Sequence, residues 1–466
     1  MSARNLEDAI LDAGGAVPLL RNSQIGLYTA IWSSIPSEYS NWRDEQRAWR
    51  ETCALLDQSH HITDLTVKGP DMVRLYSDLG VNSFANFGTE RGKQLVACSD
   101  SGHVIGDGVL YSMAPNEASL LVRPSLANWV EFHAAHGGYK VEVERDDQTV
   151  YNRTGKRRMY RYHLQGPRAW EVLEKAIGAT VAKVKLFHTA TLTIAGHQVW
   201  VLGHGMAAAA GLEMWGPWDD GPAVKAALIE AGSEFGLRQV GSLAYPTTAL
   251  ESGWVPCPLP AIYSGESTRA YREWLGADSY DARGSLGGSF YSENIEDYYL
   301  TPYDLGYGHI VNFDHEFIGR DALKEIAAAP PRRKVTLAWN GEDVAEAIGT
   351  LFQRGPTAKY ISLPMSNYVT WPLDQVLIDG RLAGVSTYSG YSFNERTMLS
   401  LAALDADVEL GTEVTLVWGD HDQSFSKPVV EAHELREIRA IVSPCPYSEV
   451  ARTQYAHDGW RTQAVR

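Results

Sequence analysis

An internal repeat is the feature that most constrains how this chain can fold. Residues 67–80 (VKGPDMVRLYSDLG) resemble residues 164–178 (LQGPRAWEVLEKAIG), about 97 residues later. In each copy the end of a strand is followed by a Gly-Pro turn and an amphipathic helix. Because repeated supersecondary units bury their apolar faces against one another, the repeat predicts two similar units in contact.

The rest of each copy follows the same order. After the first helix come GHVIGDGVLY, ASLLVRP and a further helix; after the second come AGHQVWVL, GLEMWGP and a further helix. Each copy therefore has the order strand, helix, two strands and helix. This repeated order predicts two related α+β units packed face to face, near 67–137 and 164–236.

Matching positions in the two units carry opposite charges. Arg123 and Glu213 lie at the ends of the third strands of the two copies. Equivalent positions in paired units often face a shared cleft, so we expect one basic and one acidic group to converge there. A strand end that opens onto a cleft seldom needs a charge for folding, which favours a binding role for both residues.

The remaining chain indicates the domain organisation. Residues 1–325 contain the repeat and a loop-rich segment, 255–307, that is dense in Gly, Ser, Tyr and Asp. Such a segment is a lid, a substrate-covering insertion or an ordered surface excursion. From residue 334 the pattern turns to alternating strands with Gly turns, which predicts a mainly β domain over 334–466.

Composition excludes several classes of function. A net charge of −16 over 466 residues argues against a nucleic-acid or membrane-surface partner, since both require a basic face. The N-terminus lacks a signal-peptide pattern and no run of about 18 apolar residues occurs, so we expect a cytoplasmic protein without a membrane span. The 14 His residues show neither an HExxH motif nor finger spacing, so we expect no catalytic metal.

One segment, GSLAYPTTALESGW over residues 241–254, suggests a local site. Pro246 disfavours helix in the residue before it, so Tyr245 is expected in extended backbone at the end of a loop. A short helix should follow and stop at Gly253. This arrangement holds a phenol at a rigid junction with the indole of Trp254 nearby. The alternative is that both aromatic side chains only pack the helix against its core.

Other polar residues also interrupt apolar segments, and each taken singly fits a core or surface role, with Arg123 and Glu213 as the exceptions. They are Gln58, His60, His61, Asp107, Arg123, Glu213 and Tyr245.

Several motifs resemble one known superfamily. DQSHH, GDG, GLEMWGP, ALESGW, EFIGRDAL and YSGYSF together resemble the glycine-cleavage T-protein (aminomethyltransferase) superfamily. Within it, nearly the whole chain is similar to bacterial tetrahydrofolate-dependent aryl O-demethylases, which share NSQIG, GHVIGDG, LESGW, PLPAIY and NIEDYY. The resemblance implies an α+β fold in a cloverleaf arrangement, with two ferredoxin-like folate-binding units and a C-terminal β-barrel domain.

The resemblance also implies roles for individual residues. Tyr245 matches the catalytic tyrosine and His61 a histidine at the aryl group, while Arg123 matches the arginine near the substrate. Glu213 matches the carboxylate that anchors the pterin, and Trp254 the indole beside it.

Four further assignments follow from the same resemblance. Gln58, His60 and Tyr28 are assigned to the substrate. Asp107 lies where aminomethyltransferases have a functional aspartate and is assigned to the cofactor.

The implied reaction moves the methyl group of a lignin-derived methoxybenzoate to N5 of tetrahydrofolate. Syringate is the expected substrate, followed by vanillate or 3-O-methylgallate. Two alternatives remain: an aminomethyltransferase or methyl-sulfonium demethylase, whose donors lack the phenol, and a non-catalytic folate-binding protein.

Overall fold

The computed structural model describes residues 4–25, 34–152, 156–207, 209–256, 258–421 and 427–455. Its helices are α1 (Leu6–Asp12), α2 (Ala16–Arg21), α3 (Trp42–Glu51), α4 (Met72–Leu79), α5 (Pro124–His136), α6 (Ala169–Ile177), α7 (Gly221–Gly232), α8 (Thr248–Ser252), α9 (Arg269–Trp274), α10 (Tyr280–Arg283), α11 (Arg320–Ala328) and α12 (Gly341–Gly349). Its strands are β1 (Cys53–Asp57), β2 (Thr63–Lys68), β3 (Gly92–Cys98), β4 (Val104–Ala114), β5 (Glu117–Val122), β6 (Glu142–Asp146), β7 (Met159–Gln165), β8 (Thr189–Ile194), β9 (His197–Gly203), β10 (Gly211–Pro217), β11 (Leu237–Val240), β12 (Leu286–Gly287), β13 (Arg332–Trp339), β14 (Trp371–Pro372), β15 (Asp374–Ile378), β16 (Arg381–Ser392), β17 (Thr397–Asp405), β18 (Glu413–Trp418) and β19 (Arg436–Ser443).

Each copy of the repeat forms a sheet that packs against two helices. The first sheet has the order β3-β4-β5-β2-β6, and α4 and α5 share its core. The second has the order β11-β1-β7-β10-β9-β8, and α6 and α7 share its core. Strand β1 precedes the first copy but pairs with β7 and β11 in the second sheet, so the two units are interleaved along the chain.

The free faces of the two sheets meet, as the repeat predicts. Tyr111 of β4 packs against Trp215 of β10, with ring centroids 4.3 Å apart. Arg161 of β7 forms a buried ion pair with Asp64 of β2 and also donates a hydrogen bond to the Tyr111 hydroxyl. The contact between the units therefore combines an aromatic cluster with a charge pair shielded from water.

The C-terminal strands close into a barrel of order β13-β17-β16-β15-β18-β19, filled by apolar side chains such as Leu337 and Leu416. Two ferredoxin-like sheets and a barrel confirm the predicted α+β fold class. Helix α12 lies inside the region predicted as strands. It begins after Asn340, whose side chain accepts hydrogen bonds from the Glu342 and Asp343 amides, a cap typical of helix starts.

Segment 255–307 is mostly buried. Apolar side chains along its length, including Leu259, Ile262, Tyr271 and Phe290, join the core beneath the first sheet. This burial favours an ordered, packed segment over a lid. Within the described part of the chain, no helix is long and apolar enough to cross a membrane.

The 241–254 segment folds largely as expected, with one correction. Helix α8 ends at Gly253, which has a positive φ of 69°. The prediction of extended backbone at Tyr245 is wrong, because Tyr245 opens a 3₁₀ turn. Hydroxyl groups of Thr247 and Thr248 donate to the carbonyls of Ala244 and Tyr245, at 2.7 and 2.8 Å. These bonds stabilise the turn against the weak local preference imposed by proline.

Candidate active site

A cavity of about 970 Å³ lies where the two sheets meet the barrel. Its wall includes β4, β5 and β10 of the sheets together with Lys334 of β13 and Tyr388 of β16. The volume is at the upper end of the range for small-molecule sites, so two ligands of moderate size fit side by side. The sequence-predicted residues that line it are Gln58, His61, Asp107, Arg123, Glu213, Tyr245 and Trp254.

Two predicted residues are not among them. His60 lies outside the lining, where its Nδ1 is 2.9 Å from Thr149 Oγ1 and its ring meets the edge of Trp218. This position does not support contact between His60 and a substrate in the cavity. Tyr28 lies outside the described residues.

Arg123 and Glu213 line the same cavity, so one basic and one acidic group converge there as expected, although the two residues do not occupy matching positions in their strands. Arg123 directly follows β5, where Pro124 starts helix α5. Glu213 is the third residue of β10 and not at its end, which corrects the predicted strand boundary. It is opposite His163 of β7 and Leu202 of β9 in the sheet.

The Glu213 carboxyl group is buried, with 3% of the residue exposed. Burial raises its pKa to about 7, although nearby Arg161 opposes the shift. No described residue hydrogen-bonds its Oε2; the nearest basic atom is Nδ1 of His204, 3.7 Å away. A buried acceptor oxygen without a hydrogen bond from the described residues suits a ligand that presents N–H groups, such as the amide and amine edge of a pterin.

Tyr245, Gln58 and Met206 meet at one end of the cavity. Nε2 of Gln58 donates to the Tyr245 hydroxyl at 3.1 Å and to Sδ of Met206 at 2.8 Å. The Tyr245 hydroxyl itself points to Sδ of Met206 at 3.7 Å. The ring of His61 packs edge-on against Tyr245, with centroids 4.6 Å apart.

Burial keeps both Tyr245 and His61 uncharged at neutral pH. It raises the pKa of Tyr245 above the usual value for tyrosine, against the opposing effect of the hydrogen bond from Gln58. It lowers the pKa of His61 well below its ordinary value, and the positive charge of Arg123 adds to this effect. The site therefore offers a protonated phenol beside a neutral imidazole.

Asp107 organises a second part of the cavity wall. Its Oδ2 accepts hydrogen bonds from Gln94 Nε2 at 2.7 Å, Trp254 Nε1 at 2.8 Å and the Tyr307 hydroxyl at 2.7 Å. Burial raises the pKa of Asp107, and the three hydrogen bonds oppose that shift. Asp107 thereby fixes the plane of the Trp254 indole.

The sequence predictions missed many cavity residues, and four of them contact or lie near the predicted ones. Gln94 and Tyr307 bind Asp107, whereas Met206 and His204 lie near Tyr245 and Glu213. A usable signal existed for His204, which directly follows strand β9 in a Gly-His-Gly sequence.

Comparison with known proteins places the chain in a family. Residues 27–257 match the model of the GCVT N-terminal domain. The chain is 47% identical over 462 residues to syringate O-demethylase of a Sphingobium species, covering 99% of each protein. The chain belongs to the glycine-cleavage T-protein family. It is an enzyme of the folate-dependent methyltransferase class.

Further members of the family differ more from this chain. A sesamin methylene transferase of a Sinomonas species is 29% identical over 447 residues, covering 91% of this chain and 92% of that protein. The crystal structure of the glycine cleavage system aminomethyltransferase T from Bartonella henselae superposes with a TM-score of 0.60 at 17% identity. It covers 92% of this chain and 95% of its own, which supports the fold.

Proposed function

We propose that this protein is an aryl O-demethylase that transfers the methyl group of a methoxybenzoate to N5 of tetrahydrofolate. Syringate is the first choice of substrate, followed by vanillate or 3-O-methylgallate. The products are the corresponding phenol and 5-methyltetrahydrofolate.

The observation that carries the proposal is the convergence of three groups in one cavity. Arg123, the Tyr245 hydroxyl and the buried Glu213 carboxyl line the same space. Arg123 suits a benzoate carboxylate, which it can bind through two parallel hydrogen bonds. Glu213 suits the N–H groups of a pterin. An acidic chain needs such a specific cation to attract an anionic substrate.

The protein's contribution to catalysis follows from these positions. Tetrahydrofolate supplies the nucleophilic N5 that receives the methyl group. As the bond between methyl and ether oxygen breaks, negative charge develops on that oxygen. Tyr245 donates its proton, or a strong hydrogen bond, to the oxygen and so stabilises the leaving phenoxide, with Gln58 and His61 orienting the hydroxyl. Positioned proton transfer of this kind contributes about 10²- to 10⁴-fold in rate.

The position of Tyr245 also bears on the alternatives. A buried phenol is useful when the leaving group is a phenoxide, whereas aminomethyl and methyl-sulfonium donors release no phenoxide. The order of the aromatic substrates rests on the similarity to syringate O-demethylase.

The test is turnover of syringate or vanillate by purified protein, with and without tetrahydrofolate. We expect the demethylated phenol and 5-methyltetrahydrofolate in equal amounts, and neither product without folate. Folate binding without turnover of any methoxyarene would identify a folate-binding protein instead, and phenol formed without folate would contradict the mechanism.

A further inference from the structure

The side chain of Met206 occupies the point at which the two donors of the site converge. Gln58 Nε2 and the Tyr245 hydroxyl both direct a proton toward its Sδ, at 2.8 and 3.7 Å. A hydroxyl has a single proton, so the Tyr245 proton is not available to a substrate oxygen while it is donated to sulfur. Any substrate oxygen that needs this proton must displace the sulfur.

The thioether of Met206 resembles the group that the site would bind. A methionine side chain ends in a divalent sulfur between two carbons, one of them a methyl group. An aryl methyl ether has a divalent oxygen between a methyl group and a ring carbon. Both are weak acceptors with a methyl substituent, so one set of donors serves either.

The surroundings of Met206 allow the side chain to move while its backbone stays in place. Its amide donates to Gln165 Oε1 at 2.9 Å, and the Ala207 amide contacts the same oxygen at 3.3 Å. Gln165 is fully buried in β7, which anchors this part of the loop to the second sheet. The methionine side chain is unbranched and has three rotatable bonds, so it can withdraw without a change in the fold.

We propose that Met206 is an internal stand-in for the aryl ether and that substrate binding displaces it from Gln58 and Tyr245. Met206 thereby determines specificity, because a ligand displaces its sulfur only if the ligand's ether oxygen accepts hydrogen bonds from both Gln58 and Tyr245. The inference rests on the proposed function, since it assigns the displacing atom to the methoxyl group of the substrate.

The Met206→Leu variant tests the displacement, because leucine keeps most of the volume but has no acceptor. In the ligand-free variant, Gln58 and Tyr245 have no sulfur acceptor at position 206. Substrate binding therefore no longer has to break hydrogen bonds to Met206. We expect the Kd for syringate, measured by calorimetry without folate, to fall by roughly 2- to 10-fold, the range of one net hydrogen bond. In turnover assays KM should fall likewise.

Met113→Leu is the matched control, because Met113 is half-buried where the two sheets meet and is not in the cavity lining. Its Kd and KM should equal those of the native protein. An unchanged or weaker affinity for syringate in Met206→Leu, at native thermal stability, would overturn the inference. If the native protein binds syringate but never demethylates it, the proposed function fails while a tighter Met206→Leu complex still supports displacement. If syringate does not bind at all, both fail.

A second measurement follows the side chain directly. The protein has 8 methionines, and methyl-¹³C labelling gives each of them one NMR signal. The Met206 signal is the one lost in Met206→Leu. We expect saturating syringate to shift this signal and to leave that of Met113 in place. A Met206 signal that does not move at saturation would contradict displacement.

Discussion

Tyr245 and Glu213 lie in one cavity, and burial affects them in different ways. It raises the pKa of Tyr245 far enough for the phenol to keep its proton at any physiological pH. It raises the pKa of Glu213 to about 7, so that carboxyl group changes its charge within the physiological range. We therefore expect the protonation of Tyr245, the proposed donor to the ether oxygen, to be independent of physiological pH. The protonation of Glu213, the proposed pterin anchor, should change with pH.

The Tyr245→Phe variant removes the proton donor and keeps the ring that packs against His61. We expect kcat to fall by about 100-fold or more, because positioned proton transfer contributes about 10²- to 10⁴-fold. The Kd for tetrahydrofolate should stay within about twofold. Tyr139→Phe is the control and should keep native kcat, because the Tyr139 hydroxyl binds Asp78 of α4 and neither residue lines the cavity. Native turnover in Tyr245→Phe would assign the donor role to another residue.

The affinity for tetrahydrofolate should depend on the ionisation of Glu213. The charged carboxylate accepts two N–H bonds, whereas the protonated group loses one acceptor position. Because the pKa of Glu213 in the folded protein is raised to about 7, the carboxylate that binds the ligand dominates above that pH. Below that pH the carboxylate is lost by protonation. We expect Kd to be constant above pH 8, to rise as the pH falls through 7, and to level off at a higher value once the carboxyl group is fully protonated.

Glu213→Gln tests whether this carboxyl group is the source of the pH dependence. The variant should bind tetrahydrofolate more weakly and with no pH dependence between 6 and 8. A pH dependence that persists in Glu213→Gln would show that another group is responsible.

At the scale of single elements, helix α8 and the glycine that follows it connect Tyr245 to Trp254, and both residues line the cavity. Gly253 has a φ of +69°, and an added Cβ would lie 2.6 Å from Cys445 Sγ and 3.2 Å from Pro446 Cα. Both the backbone conformation and the contact therefore exclude a side chain here.

The Gly253→Ala variant should lower the free energy of unfolding by about 2 kcal/mol or more, through left-handed backbone strain and the contact with the Cys445 region. It should also weaken folate binding, since Trp254 follows directly. Gly349→Ala is the control, because that position has no atom within 4 Å of an added Cβ and ordinary helical backbone. We expect the control to be neutral or slightly stabilising in urea unfolding. Equal stability of the two variants would contradict this account of Gly253.

The elements differ in how far the sequence could predict them. The repeat predicted β2, α4 and their counterparts β7 and α6, because period and turn residues are local signals. It could not predict that β1 pairs in the second sheet, since that pairing depends on contacts with β11, more than a hundred residues away. Helix α12 was missed because the strands on both sides dominate the pattern.

The same distinction holds for the candidate site. Arg123 and Glu213 were predictable because each is a charged residue in the third strand of one copy of the repeat or directly after it, although their positions along the two strands differ. Tyr307 was not, because it is 200 residues from Asp107 in the chain and only the fold brings them together. The 3₁₀ turn at Tyr245 was likewise not predicted. It is stabilised by hydrogen bonds from the hydroxyl groups of Thr247 and Thr248, which the backbone preference of a residue before proline does not include.

At the scale of the whole molecule, the cavity exists only while the two sheets and the barrel stay together. Arg161 and Asp64 form a buried pair between the two sheets, with 2% and 6% of their side chains exposed. A second long-range contact involves the buried Lys427 ammonium group, which donates to backbone carbonyls at and after the end of α2, including that of Ser23 at 2.6 Å. These bonds connect the N-terminal helices to the C-terminal region.

Asp64→Asn should destabilise the protein by about 3 kcal/mol, because removing one partner leaves a buried charge uncompensated. The measurement is the free energy of unfolding in urea. Asp219→Asn breaks the exposed pair with Lys156, whose side chains are 78% and 62% exposed, and should change stability by less than about 1 kcal/mol. Comparable stability of the two variants would show that the pair between the sheets does not hold the units together.

The most direct test of the central claim follows the methyl group itself. Syringate labelled with ¹³C in its methoxyl groups is incubated with the protein and tetrahydrofolate, and the product is observed by NMR. We predict that every methyl group lost from the ring appears on N5 of 5-methyltetrahydrofolate. Label in methanol or formaldehyde, or label released without tetrahydrofolate, would contradict direct methyl transfer in this cavity.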